Sequence, residues 1–73
     1  MEQELKEAIL SIKKGNTTQG RHMLVEILQN DPKNEDAWLW MSKCVTDPEL
    51  KHYCYERVLT INPTNREAIS GIR

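Results

Sequence analysis

No run of eighteen apolar residues occurs in this 73-residue chain, which excludes an ordinary membrane-spanning helix. An excess of one charge is missing too. Ten Lys and Arg stand against eleven Asp and Glu, a net charge of −1, without the basic footprint of a nucleic-acid binder. Nucleic acid is therefore not an expected partner. The three glycines, Gly15, Gly20 and Gly71, are scattered and form no phosphate-cradling loop. The histidines and cysteines lack zinc-type spacing: His52 and Cys54, two apart on a helix, point about 200° apart. No metal or other cofactor is expected. A nucleophilic site would need a cysteine, a histidine and an orienting group brought together, and nothing activates such a set here. No catalytic residue is nominated, and the chain is not expected to be an enzyme. Cys44 and Cys54 sit inside apparent helices and read as small core residues of a reducing compartment. The segment Met1 to Lys6 is acidic and polar, the opposite of a secretory signal, so a cytoplasmic location is the default expectation.

What is present is helical patterning within one small domain. Leu5, Ala8, Ile9 and Ile12 fall at i, i+3, i+4 and i+7, one face of a helix over about Gln3 to Lys14. Gly15 follows a lysine pair and suits a left-handed C-terminal cap. Asn16, Thr17 and Thr18 offer N-cap oxygens. A second helix spans about Thr18 to Asn30 and buries Gly20, Met23, Leu24, Ile27 and Leu28. Gly20 lowers helix propensity, so a close approach of a neighbouring backbone is expected there. Asp31 and Pro32 end this helix. Asn34 caps a third, running to about Val45, with Ala37, Trp38, Met41, Cys44 and Val45 on one side. Leu39 and Trp40 lie off that stripe. Asp47 and Pro48 start a fourth helix, to about Ile61, with Leu50, Cys54, Val58 and Ile61 on its core side and Tyr53 and Arg57 beside them. Pro63 stops it. A short fifth helix holds Arg66 to Ile72, with Thr64 and Asn65 as rival caps. No strand is expected, and short connections predict antiparallel packing of consecutive helices.

The stretch Asn30 to Trp40, NDPKNEDAWLW, returns in weaker form from Asn62 to Ala68, NPTNREA. Overlaying Pro32 on Pro63, a shift of 63 − 32 = 31, pairs Leu28 with Leu59, Asn34 with Asn65 and Ala37 with Ala68. Gly15 and Asn16 resemble a turn between two helices of a repeat, and Gly20 the small residue where they touch. Leu24, Ile27 and Pro32 resemble the large, small and terminating sites. Trp38, Met41 and Ser42 resemble the opening of the next repeat. Tyr55, Val58 and Pro63 resemble its close. In these positions the chain is similar to tetratricopeptide repeats, 34-residue helix-turn-helix units that stack into solenoids. The resemblance divides it into repeat one (1–34), a shortened repeat two (35–65) and the start of a third or a capping helix (66–73). The fold class it implies is all-α, an antiparallel helix-turn-helix array of tetratricopeptide type.

The departures are specific. The proline period is three short of the family's, and the missing residues are placed at Thr46 to Pro48, predicting a tight turn there. Lys51 stands at a small-residue site. The first helix has no tryptophan and a stripe offset by one residue, which leaves Leu5 and Ile9 open between core and groove. Trp38, Trp40 and the run Tyr55 to Leu59 also look like half-tetratricopeptide repeats of RNA-processing assemblies.

By this resemblance the flank of the third helix lines a concave peptide-binding face, and Asp36, Leu39, Trp40 and Lys43 are its candidate partner-binding residues. An aromatic and an aliphatic side chain edged by charges suit an interface hot spot with a polar rim. The alternative for Trp40 is packing against the next helix pair or an ordinary scattered surface position. Trp38 is expected to be architectural. The implied function is non-catalytic binding of a peptide or partner helix, with a structural or homo-oligomerising module, or a half-repeat component of an RNA-processing assembly, as the rival readings. About three stacked repeats are needed for stability, so a longer array or self-association through an apolar edge is also expected.

Overall fold

The structure is a computed structural model that describes residues 2–72. Met1 and Arg73, the outer ends of the first and last units expected above, lie outside the described residues. Five helices follow one another: α1 (Glu2–Lys13), α2 (Thr17–Asn30), α3 (Glu35–Cys44), α4 (Pro48–Ile61) and α5 (Arg66–Ile72). Among the described residues there is no strand, so the chain is an all-α helical array. Each helix packs on its neighbour in sequence, and α1 also touches α3. The pairing is antiparallel by register. Ile12 and Ser11, late in α1, meet Gly20 and Met23, early in α2. In α3 the later Ser42 meets Lys51, while the earlier Trp38 meets Tyr53 and Arg57.

Local chemistry sets the boundaries. Gly15 adopts φ +93°, the left-handed conformation that ends α1. The Asn34 side chain accepts the Ala37 N–H at 3.0 Å, and Asp47 accepts the Glu49 N–H at 2.9 Å beside Pro48 in the first turn of α4. Asn65 caps α5 through the Ala68 N–H at 2.9 Å, and the rival Thr64 hydroxyl donates to Asn62 Oδ1 instead. Asn16 occupies the N-cap of α2 without a side-chain cap bond, and the helix begins one residue earlier than the sequence suggested.

The two proline turns repeat bond for bond. The Asp31 and Asn62 N–H groups each donate to the carbonyl four residues back, both at 2.7 Å. The Asn34 and Asn65 N–H groups each donate three residues back, both at 3.1 Å. Helix ends recur at the same step: 13 and 44, 17 and 48, 30 and 61, 35 and 66, each differing by 31. The connection from α3 to α4 is therefore three residues long, and so is that from α1 to α2. The helix starts at Glu2 and Glu35 are 33 apart, because α1 has twelve residues and α3 ten.

The core runs along the seams between helices. Ala8, Leu24, Ile27, Ala37, Met41 and Cys54 form its buried cluster, with Leu5, Ile12, Met23, Leu28, Trp38, Trp40 and Cys44 packed against it. Leu5 is thus a core residue, and Ile9 is half-buried. Val45 is buried although it caps α3 in an extended conformation, because the chain turns back over the core there. Leu50 departs from expectation: it is 51% exposed. It lies in the first turn of α4, opposite the point where α3 has already ended at Cys44, so no helix covers it. Lys51 takes the inward position, and its Nζ donates to the Ser42 carbonyl at 2.7 Å, satisfying an acceptor at the C-terminal end of α3.

Glu35 links the two proline turns. Its Oε2 accepts the side-chain amides of Asn65 at 2.6 Å and Asn62 at 2.8 Å. The Asn65 bond foremost, then the Asn62 bond, hold its carboxyl below the ordinary glutamate range, against a smaller opposing effect of burial. A lowered folded-state value stabilises the fold above that range and stops doing so as the pH falls through it. Glu35→Gln is accordingly expected to be less stable than the parent at pH 7. The gap should close as the pH drops below about 4. Urea midpoints measured across that range check this, and a gap that widens in acid contradicts it.

Candidate functional site: a tryptophan beside two lysines

Trp40 sits in the middle of α3, and its ring is half-buried because it packs against the core cluster rather than standing clear of it. The periodicity that placed it off the stripe considered α3 alone, whereas the end of α1 reaches this flank. Lys13 Nζ lies 5.9 Å from the Trp40 ring centroid and Lys43 Nζ lies 5.4 Å from it. Both distances are within cation–π range, and the ammonium groups come from different helices. Lys43 also donates to Glu67 of α5 at 2.6 Å, so one polar ladder crosses α1, α3 and α5. Lys13 makes no ion pair with any described carboxylate.

The other nominated residues are placed as follows. Asp36 is exposed in the first turn of α3 and makes no ion pair or side-chain hydrogen bond among the described residues. Leu39 is half-buried, and its carbonyl accepts the Ser42 hydroxyl. Asp36, Leu39, Trp40 and Lys43 share one flank of α3, and the structure gathers Lys43 against Trp40 while leaving Asp36 apart. Lys13 is the residue that sequence reading missed. Its place in the lysine pair before Gly15 suits the C-terminus of α1, and no local pattern reports which neighbouring helix a lysine reaches.

The remaining reactive groups are quiet. Both cysteines are free thiols. Burial pushes the Cys44 thiol up, with Arg21 and then Lys51 pulling back. Burial likewise raises Cys54, opposed by Lys51 and reinforced by Cys44. Thiols raised in this way stay protonated at neutral pH and are weak nucleophiles. His52 faces Glu56 one turn on, at 3.7 Å, on an exposed surface. His22 lines an open hollow of about 490 Å³ at the α1–α2 turn, with Gly15, Asn16, Thr17, Thr18 and Gln19. Among the described residues no three His, Cys, Asp or Glu side chains could share a metal ion. No described helix is long and apolar enough to cross a membrane. No protein-family model matches the chain, and no curated protein matches it.

Proposed function

We propose that this chain is a non-catalytic protein-interaction module of tetratricopeptide type, about two repeats and the start of a third. It binds a peptide or partner helix on the face shared by α1, α3 and α5. The observation that supports this most is the Trp40 ring lying beside ammonium groups of two helices, Lys13 at 5.9 Å and Lys43 at 5.4 Å. An indole supplies contact area at low entropic cost, and the Lys13 ammonium, without an ion-pair partner among the described residues, favours a carboxylate on the ligand. Leu39 widens the apolar contact, and Asp36 and Lys43 select by charge. The 31-residue step of the helices is three short of the family's repeat, so the units are compact versions of it. Two free thiols, Cys54 buried and Cys44 half-buried, suit a reducing cytoplasmic setting.

Trp40→Ala is a poor sole test, because a half-buried ring removed from the core also weakens the fold. Lys13→Gln changes an exposed residue without an acidic partner among the described residues, and Trp40→Leu keeps most of the packing. Pull-downs with the immobilised chain, with bound proteins identified by mass spectrometry and then remeasured in purified form, compare these two variants with the parent. We expect a partner that Trp40→Leu no longer retains and that Lys13→Gln holds about tenfold more weakly. Circular dichroism should be unchanged. A set of partners indifferent to both substitutions removes the reading.

A further inference from the structure

Trp38 and Trp40 are two residues apart on α3, so their side chains leave it about 200° apart and serve opposite flanks. The flank of Trp38 belongs to α2 and α4. Val25, Leu28 and Gln29 of α2 and Trp38 and Met41 of α3 line a groove of about 320 Å³ there. Its walls are apolar apart from Gln29, and Val25 on its rim is 43% exposed. The Trp38 Nε1–H is fixed to the Pro32 carbonyl at 2.8 Å, which holds the indole in place.

The same indole meets a cation. The Arg57 guanidinium carbon lies 5.9 Å from the Trp38 ring centroid, and Tyr53 packs edge-on against the ring at 5.8 Å. Arg57 has no ion-pair partner among the described residues. Its Nε is buried and lacks a hydrogen-bond acceptor. That buried Nε is out of a ligand's reach, but the terminal guanidinium nitrogens are not buried, and a carboxylate is the acceptor their paired donors fit best.

We infer that this groove is a second docking surface, independent of Trp40, for a partner helix that sets an aliphatic side chain against Trp38 and a carboxylate against Arg57. Charge complementarity selects this occupant. Side chains three or four apart on a helix are about 5–6 Å apart, which matches the span from ring to guanidinium. A second copy of this chain fits less well, since beside its exposed Leu50 the Asp47 carboxylate is engaged in capping α4. Its exposed Leu10 is flanked at i ± 4 by Lys6 and Lys14, which would bring further positive charge to Arg57. A two-fold pairing of the groove with itself would set Arg57 against Arg57.

The test is an NMR titration of the full chain, labelled with ¹⁵N, following the two indole N–H resonances. The probe is an acetylated and amidated alanine-based helix of about twelve residues, carrying Leu and Glu four apart. Its twin has Gln in place of Glu. The Glu peptide should shift Trp38 saturably and leave Trp40 still. The Gln peptide should bind about tenfold more weakly, a difference of about 1.4 kcal/mol. Arg57→Gln should make the two peptides equivalent. Val25→Glu, at an exposed position that leaves the fold intact, should abolish the Trp38 shift. Equal binding of both peptides by the parent chain overturns the proposal, as does an unmoved Trp38. Trp38 shifts that follow protein dilution alone overturn it in favour of self-association. Shifts confined to Trp40 overturn it and leave the reading of the α1, α3 and α5 face standing.

Discussion

Leu24→Ala is expected to lower the unfolding free energy by about 3 kcal/mol, within the range of about 2–5 kcal/mol for buried leucines. Leu24 is 0% exposed and belongs to the core cluster with Ala8, Ile27 and Met41. Removing its branched end forfeits the transfer of those atoms from water and leaves a void. The surroundings cannot collapse freely, because the Gly20 backbone one turn earlier already lies close to α1. A domain of this size has roughly 4–11 kcal/mol of total stability, so the loss is a large share. In urea it corresponds to a midpoint lower by about 2–3 M, and on heating to a fall of about 12–24 °C. Circular dichroism of the two proteins measures both. A shift below about 1 kcal/mol would mean that α2 does not bear on α1 and α3 in solution as it does here.

Gly20→Ala carries the second largest effect and the more informative sign. Inside an exposed helix this exchange stabilises by about 1 kcal/mol. Here a methyl group would collide with the Ile12 side chain and stand 3.1 Å from the Ala8 carbonyl oxygen. Crowding of that kind costs about 1–3 kcal/mol, and the backbone oxygen cannot move aside as a side-chain tip can. The expected net result is a loss of about 1–2 kcal/mol, read as a lower urea midpoint at unchanged slope. A raised midpoint would show that helix propensity wins, and that α1 and α2 stand further apart than the contact implies.

The helices were legible because their ends are written in residues with few alternatives. Pro32, Pro48 and Pro63 cannot continue a helix, Asn34, Asp47 and Asn65 present side-chain acceptors, and Gly15 tolerates positive φ. The close approach at Gly20 was legible for the same reason, since a helical glycine without a turn to make has few other uses. Burial was harder to read where it depends on a neighbour's end. Leu50 has the right periodicity and stays exposed, because α3 stops before covering it. Trp40 has the wrong periodicity and is half-buried, because α1 reaches over it. In the candidate site, Asp36, Leu39, Trp40 and Lys43 followed from one helix face, but Lys13 did not. A helical wheel records angle within one helix and carries no distance to another. The groove beside Trp38 was missed likewise: its walls come from α2 and α3, and the cation over its indole from α4.

The bridge from Glu35 to Asn65 spans 30 residues of chain, yet most packing joins each helix only to the next. Such an array closes only small loops while it forms, so the search that limits folding is short and topology adds little to the barrier. Neighbouring helices can meet early, and the carboxylate then finds its amides once the turn after α4 exists. Glu35 therefore acts as a late clasp: it ties the start of α3 to the turn between α4 and α5, and contributes little to how fast the helices form.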